Sequence, residues 1–426
     1  MQLRSCQLYC TKTNLRNILI KKLASYSQKQ NLSLSVLPLL YEHQNETVPI
    51  DFVRPAIFSQ HAHNTDNHPS NDLFVIGVTG TNGKTTVAYL IGEVLKLAGY
   101  KPFVLGTFNS GNKDLSTPDS PKILKFMKTH LDQGGTHFIM EVTSEGIDQG
   151  RITGIDFNVK LLTNITQDHL DYHKTFSNYK KVKLGFMNEG SSHKIYPKNF
   201  DKEPMDFTTK LLGDFNFLNI KAAISVLRHI GISEKYIERT LSTCSPPRGR
   251  LENVDRGQSF MVLIDYAHTP DGLENVLRTV KNIAMKRKGR LLVLFGCGGN
   301  RDRGKRSKMG KITSDIADRL VITDDNPRLE DSQEIMSDIL SGIDPDFSNY
   351  VLIQNRKKAI EYIINQSEKN DVVILAGKGH ETYQILQSET IEFDDREEAR
   401  NAILSRLKKN PHMFNSYKTE KSANIA

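Results

Sequence analysis

Gly77-Val-Thr-Gly-Thr-Asn-Gly-Lys-Thr-Thr86 stands between an apolar, β-branched run at 73–78 and a stretch in which Val87, Leu90, Ile91, Val94, Leu95 and Ala98 recur at helical spacing. This order predicts a strand, a phosphate-cradling loop and a helix that stops at Gly99. Gly80 and Gly83 let backbone N–H groups converge on phosphate oxygens, and the helix N-terminus adds positive potential. Lys84 is placed to reach the terminal phosphates and Thr85 to ligate magnesium, with Thr81, Asn82 and Thr86 completing a nucleotide cradle. The spacing departs from the general P-loop pattern, because Val78 stands five residues before Gly83 where a glycine is expected.

Outward from the loop, short apolar runs alternate with amphipathic helical stretches, the pattern of an α/β fold with a mainly parallel sheet. Further strands are expected at 103–105, 138–142 and 159–163. A second series follows Pro246-Pro247, at 260–264, 291–295, 320–323 and 372–376. Each of these runs straight into a polar or glycine-bearing segment: Asp265-Tyr-Ala-His-Thr-Pro, Gly296-Cys-Gly-Gly-Asn-Arg-Asp-Arg, Asp324-Asp-Asn-Pro-Arg and Gly377-Lys-Gly-His-Glu. Ligands of open α/β sheets bind at the carboxyl ends of strands, so four such ends predict one shared site. The expected organisation is a leading region and linker over 1–71, a nucleotide-binding domain over 72–247, a second α/β domain over 248–408 and a polar tail over 409–426.

At 426 residues, with domains of roughly 150 residues typical, two or three cores are expected. No apolar stretch approaches the roughly 18 residues needed to cross a bilayer, so no membrane partner is expected. A net charge of +8 suits nucleic acid or a polyanionic substrate, and the absence of any nucleic-acid-binding motif favours the second. Cys6, Cys10, Cys244 and Cys297 are scattered without metal or redox spacing, which fits free thiols in a reducing compartment. Residues 1–41 lack Asp and Glu but carry Arg4, Lys12, Arg16, Lys21, Lys22 and Lys29. The stretch reads as a basic surface helix of a cytoplasmic protein or, alternatively, as an organelle transit peptide. His61, His63 and His68 lie in an Asn/Asp/Pro/Ser-rich run that reads as a linker rather than a metal site.

The second chemical signal is Thr163-Asn-Ile-Thr-Gln-Asp-His-Leu-Asp-Tyr-His173, followed by Tyr179 and Lys183. With the Gly-Thr-Asn-Gly-Lys-Thr loop before it, this block resembles the Mur ligases, and the likeness runs from Gly77 to about Glu398. The resemblance implies a P-loop-type central domain that binds ATP, a Rossmann-like C-terminal domain that binds the amino acid and a small divergent N-terminal region. In that family the lysine beyond the block is carbamylated and binds magnesium with the histidine and an upstream glutamate; here these are Lys183, His169 and Glu141. A carbamate turns a cation into an oxygen donor that a hard metal accepts. By the same likeness Asn216 and Asn219 lie near adenine, Arg250 meets the γ-phosphate, and Asp265 and His268 lie near the ribose and phosphates. Lys84, Lys183, Arg250 and His268 are thus the candidate catalytic residues, with ATP and Mg2+ as cofactors.

Within the family, Asp325-Asn-Pro-Arg328 and Gly377-Lys-Gly-His-Glu381 point to the MurE branch and to meso-diaminopimelate as the amino acid. Diaminopimelate differs from lysine by a distal carboxylate, which a guanidinium fork matches best. Arg328 is expected to take it with help from Arg301, while Asn326, Gly377 and Glu381 line the same place and Glu381 receives the distal ammonium. Thr117, Thr143, Ser144 and Arg151 match positions that hold the UDP-muramoyl dipeptide. The family's usual Ser-Ser-His reads Thr143-Ser144-Glu145 here, only about thirty residues separate Lys183 from Gly213, and residues 1–71 show no uridine-binding signature. The expected function is ATP-dependent addition of meso-diaminopimelate to UDP-MurNAc-L-Ala-D-Glu through an acyl phosphate, by a monomer. The alternatives are a diverged ligase for another carboxylated acceptor and a non-catalytic nucleotide-binding scaffold.

Overall fold

A computed structural model describes residues 68–107, 109 and 115–409. The acid-free stretch, the first part of the histidine-bearing linker and the polar tail lie outside these residues.

The first sheet contains β1 (Phe74–Thr79), β2 (Pro102–Leu105), β3 (His137–Val142), β4 (Val159–Leu162) and β5 (His193–Ile195), in the order β2-β3-β1-β4-β5, all parallel. Because side chains alternate across a strand, β1 feeds two cores. Ile76 and Val78 face helices Lys84–Leu97, Asp214–His229 and Glu234–Thr243, whereas Val75 joins Phe138, Met140 and Leu162 under helices Ser120–Asp132 and Phe176–Asn188. Helix Lys84–Leu97 forms where the apolar periodicity predicts, with Val87, Leu90, Ile91, Val94 and Leu95 wholly buried. It begins two residues earlier than the sequence suggests, because left-handed Gly83 serves as N-cap.

The second sheet is β6 (Glu252–Asn253), β7 (Met261–Asp265), β8 (Leu291–Phe295), β9 (Arg319–Ile322), β10 (Tyr350–Leu352) and β11 (Val372–Ala376), in the order β10-β9-β8-β11-β7-β6. Only the edge strand β6 runs antiparallel. Along β8, Leu291, Val293 and Phe295 face one helical layer, and Leu292 and Leu294 face the other. This two-sided burial explains why the central strands read as continuous apolar runs. The hairpin β12 (Tyr383–Ile385) and β13 (Thr390–Glu392) follows.

The eight strands expected from the sequence are present within a residue at each end. The unforeseen ones, β5, β6, β10, β12 and β13, are two or three residues long and half-exposed in part, too short for periodicity to register. In both sheets the chain leaves one strand, skips a neighbour and returns to fill the gap. The resulting crevices open at the carboxyl ends of β1 and β3 and of β7, β8, β9 and β11, where the site residues lie.

Candidate active site

β1 ends in Thr79, and the chain turns through Gly80 and Gly83, both at positive φ, into helix Lys84–Leu97. The Lys84 ammonium folds back onto its own loop, donating to the carbonyls of Gly80 (2.9 Å) and Thr81 (2.8 Å). Burial lowers its pKa, with Glu141 and Asp168 pulling it back up. Thr81 Oγ1 lies 2.8 Å from the Tyr179 hydroxyl, and Asn82 Nδ2 donates to Asp271 at 2.8 Å, tying the loop to the start of helix Pro270–Arg287. The Thr85 hydroxyl donates to Glu141 Oε2 (3.0 Å) and accepts from Arg250 Nη2 (3.2 Å), while the Arg250 guanidinium lies over the Tyr266 ring. A carboxylate and a hydroxyl so close together supply the hard oxygen donors that suit magnesium.

Thr86 is buried beneath the loop. Asn219 leans against Gly83 and donates to Asn216 Oδ1 at 3.1 Å, so the two asparagines back the cradle from helix Asp214–His229.

Glu141, His169 and Lys183, which the resemblance groups around one metal, are each bonded elsewhere in this structure. Lys183 is 1% exposed and donates to Gly80 O (3.0 Å) and Thr79 Oγ1 (3.4 Å). An ammonium can only donate, so a carbonyl captures it. Burial first, and the like charge of Lys84 second, push its pKa well below that of an ordinary lysine. His169 sits in the left-handed region (φ 54) as the N-cap of a short turn, Leu170–His173. Its Nδ1 lies 2.6 Å from Glu145 Oε1 and its Nε2 3.2 Å from Asp168 Oδ2. Burial works against the imidazolium, but the two carboxylates outweigh it and raise the pKa. Burial likewise opposes the Glu145 carboxylate, yet the His169 hydrogen bond and charge bring it down to about 2. Among the described residues, no three His, Cys, Asp or Glu side chains converge on a metal position.

On the acceptor side, Thr117 Oγ1 donates to Glu141 O (2.9 Å) and accepts from Thr143 N (3.0 Å), so both its hydrogen-bonding roles are spent within the fold. Thr143 caps helix Ser144–Asp148, Ser144 donates to Glu145, and Arg151 donates to Thr117 O at 2.8 Å. Thr117 and Ser144 therefore shape the backbone around Glu141 and Glu145.

Across the crevice, Asp265 accepts from Leu251 N (2.7 Å) and Ala267 N (2.8 Å), pinning the Arg250 segment to β7. Burial raises its pKa. His268 Nδ1 donates to Tyr266 O (2.8 Å), and the ring faces Asp168 at 4.0 Å; burial, then Lys305, lowers its pKa to about 4. At the second sheet Asn326 donates to Glu381 Oε2 (2.9 Å), and Arg328, at φ 54, donates to Gly299 O (3.0 Å). Gly377 adopts φ +109 against Asp325, and Arg301 is exposed at the rim.

One cavity of about 730 Å3 brings most of these groups together: Asn82–Thr86, Glu141, Thr143, Arg151, His169, Asn216, Asn219, Arg250, Asp265, His268, Arg301, Asn326, Arg328, Gly377 and Glu381 all line it. Gly80, Thr117, Ser144 and Lys183 stand behind its wall. Sequence reasoning missed Asp168, Lys305 and Asp271. Lys305 reaches Asp168 at 3.8 Å, and Asp271 accepts from Asn82, so all three join the two sheets. The signal was faint: Asp168 stood inside the quoted block, but nothing along the chain paired it with Lys305.

The sequence matches the Mur ligase middle domain over residues 78–205 and the Mur ligase glutamate ligase domain over 249–379. The chain belongs to the Mur ligases, ATP-dependent enzymes that join an acid to an amino acid. It is 38% identical over 395 residues to the UDP-N-acetylmuramoyl-L-alanyl-D-glutamate–2,6-diaminopimelate ligase of Geobacillus thermodenitrificans, covering 79% of this chain and 80% of that one. The ligase of the same name from Clostridium tetani is 36% identical, with 85% of each chain covered. Folylpolyglutamate synthase of Mycobacterium tuberculosis shares the fold at a TM-score of 0.59 and 14% identity, over 76% of this chain and 92% of that one.

Proposed function

We propose that this protein joins meso-diaminopimelate to the D-glutamate carboxylate of UDP-MurNAc-L-Ala-D-Glu, a step of peptidoglycan precursor synthesis. ATP phosphorylates that carboxylate, and an unprotonated amine attacks the acyl phosphate and expels phosphate. The observation that carries this reading is the single cavity, whose lining joins the phosphate loop and Arg250 to Asn326, Arg328 and Glu381. Such a reaction needs placement and charge more than covalent chemistry. Lys84 and Arg250 hold the transferring phosphoryl group, and preorganised charge of this kind carries much of the catalysis. Asn216 and Asn219 support the base, and His268, neutral above about pH 4, serves as a hydrogen-bond or proton acceptor in the cleft. Bound at Thr85 and Glu141, with His169 and carbamylated Lys183 joining, magnesium would neutralise charge developing on the phosphate oxygens. Thr143 and Arg151, backed by Thr117 and Ser144, face the acceptor. No described helix is long and apolar enough to cross a membrane, and a monomer in the cytoplasm is the form proposed.

A second reading, a ligase for another carboxylated acceptor, is favoured by one observation. Glu145 stands where the family has histidine, and it clamps His169. Phosphate release with ATP and diaminopimelate separates the readings, comparing UDP-MurNAc-L-Ala-D-Glu, MurNAc-L-Ala-D-Glu and free L-Ala-D-Glu. The first reading expects turnover with the muramoyl dipeptides. No turnover with any of the three refutes it and favours the diverged acceptor; absence of acceptor-dependent ATP turnover altogether favours a scaffold.

A further inference from the structure

Lys378 is a wholly buried lysine behind the cavity-lining residues Asn326 and Glu381, and no step described above uses it. Its Nζ donates to Glu381 Oε2 at 2.9 Å and to Asn326 Oδ1 at 3.1 Å, under the Tyr383 ring. Asn326 Nδ2 donates to the same Glu381 oxygen at 2.9 Å, and Ile385 N closes the set by donating to Asn326 Oδ1 at 3.0 Å. The three side chains form a closed triangle with one cation, one anion and one amide. Both side-chain donors fall on Oε2, which leaves Oε1 of Glu381 to the cavity it lines.

We infer that Lys378 is a positioning residue that makes the site discriminate between a diamino acid with a distal carboxylate and one without it. The inference rests on the diaminopimelate reading. An ammonium entering this pocket meets a glutamate whose charge is already half answered from below, with a single oxygen on offer. A lone cation such as the lysine ε-ammonium therefore gains little there. A ligand that also brings a carboxylate for Arg328 gains a second, charge-assisted contact, and the balance moves to that ligand. Burial raises the Glu381 pKa and Asp325 adds to the rise, while Lys378 and Asn326 oppose it. Without Lys378, Asn326 alone holds Glu381 Oε2, the carboxylate is freer to turn, and a substrate ε-ammonium can take the vacated place. The orientation that favours diaminopimelate goes, and the penalty on lysine goes with it.

The test measures kcat and KM for diaminopimelate and for lysine in the wild type, Lys378→Met and Lys378→Gln, with thermal unfolding and nucleotide binding as checks on the fold. Hydrogen bonds to charged groups of this kind typically carry enough for Lys378→Met to raise the KM for diaminopimelate about tenfold or more, with kcat changing less. The preference for diaminopimelate over lysine should fall about tenfold in both variants, with the smaller KM change in Lys378→Gln, whose amide keeps a donor. Glu381→Gln should raise the diaminopimelate KM in the wild type but add less than about threefold in the Lys378→Met background, since the two act as one unit. A merely structural lysine would lower stability without moving the ratio or breaking additivity. An unchanged preference in either folded variant, or fully additive effects, overturns the inference while the diaminopimelate reading stands. Wild-type protein with no diaminopimelate-dependent phosphate release overturns that reading and this inference together.

Discussion

Gly83→Ala isolates what the phosphate loop requires of its backbone. Gly83 has φ +88, and a Cβ added there would lie 2.3 Å from Asn219 Oδ1 and 3.2 Å from its Cγ. Left-handed backbone costs an alanine roughly 1–2 kcal/mol relative to glycine. Asn219 is 8% exposed and bonded to Asn216, so moving it aside breaks that contact at a further cost of about 1 kcal/mol. The sum, roughly 2–3 kcal/mol, corresponds to about 30- to 150-fold weaker nucleotide binding at ~1.4 kcal/mol per tenfold when the unliganded loop relaxes and the nucleotide must restore its shape; a loop held in both states shows the same cost as lost stability instead. Gly99 supplies the control. Its φ is +90 and nothing lies within 4 Å of an added Cβ, so Gly99→Ala carries the conformational cost without the clash and far from the phosphates. Calorimetric titration with a non-hydrolysable ATP analogue, beside urea unfolding of both variants, separates binding from stability. Gly99→Ala should lose roughly 1–2 kcal/mol of stability and bind nucleotide as the wild type does. Wild-type affinity and stability in Gly83→Ala, or equal weakening of binding in both variants, would refute the reasoning.

Lys183→Ala should abolish most turnover, with partial rescue by a small carboxylate, and the wild type in 13C-bicarbonate should show a carbamate resonance that the variant lacks; full activity without additive sinks the assignment. Arg328→Ala should lose most of the preference for diaminopimelate over lysine, since a site built for a charged group typically rejects the analogue lacking it by roughly ten-thousand-fold; retained preference in competition assays would assign the distal carboxylate elsewhere. Glu145 titrates at about 2 in the folded chain against an ordinary 4.5, so its contribution to stability is present above pH 4.5 and is lost as pH falls towards 2. At 1.36 kcal/mol per unit this is at most about 3 kcal/mol, and Glu145→Gln should flatten the acid limb of a stability-versus-pH curve by up to that amount. An unchanged acid limb would show that the Glu145–His169 pair carries no net stability.

The loop at 77–86 was legible from the sequence because a P-loop is local: strand, glycines, lysine and helix follow one another, and each needs only its neighbours. Seven of the eight expected strands were legible for a similar reason, since burial on both faces writes itself as a continuous apolar run, whereas β2 is a partly buried edge strand. Family membership was legible because several short blocks kept one order along the chain, and the matched domains bear it out. What only the tertiary structure decided lies in the pairings between distant segments. Asp168 and Lys305 are far apart along the chain yet form an ion pair at 3.8 Å, and Asn82 meets Asp271 across a still longer interval. No periodicity encodes such a meeting, because it depends on which strand ends the topology brings to one crevice. Lys378 was visible in Gly377-Lys-Gly-His-Glu381 but silent there. A lysine in a loop is by default a solvated cation, and the closure of sheet, hairpin and loop around it turned this one into a buried brace beneath Glu381.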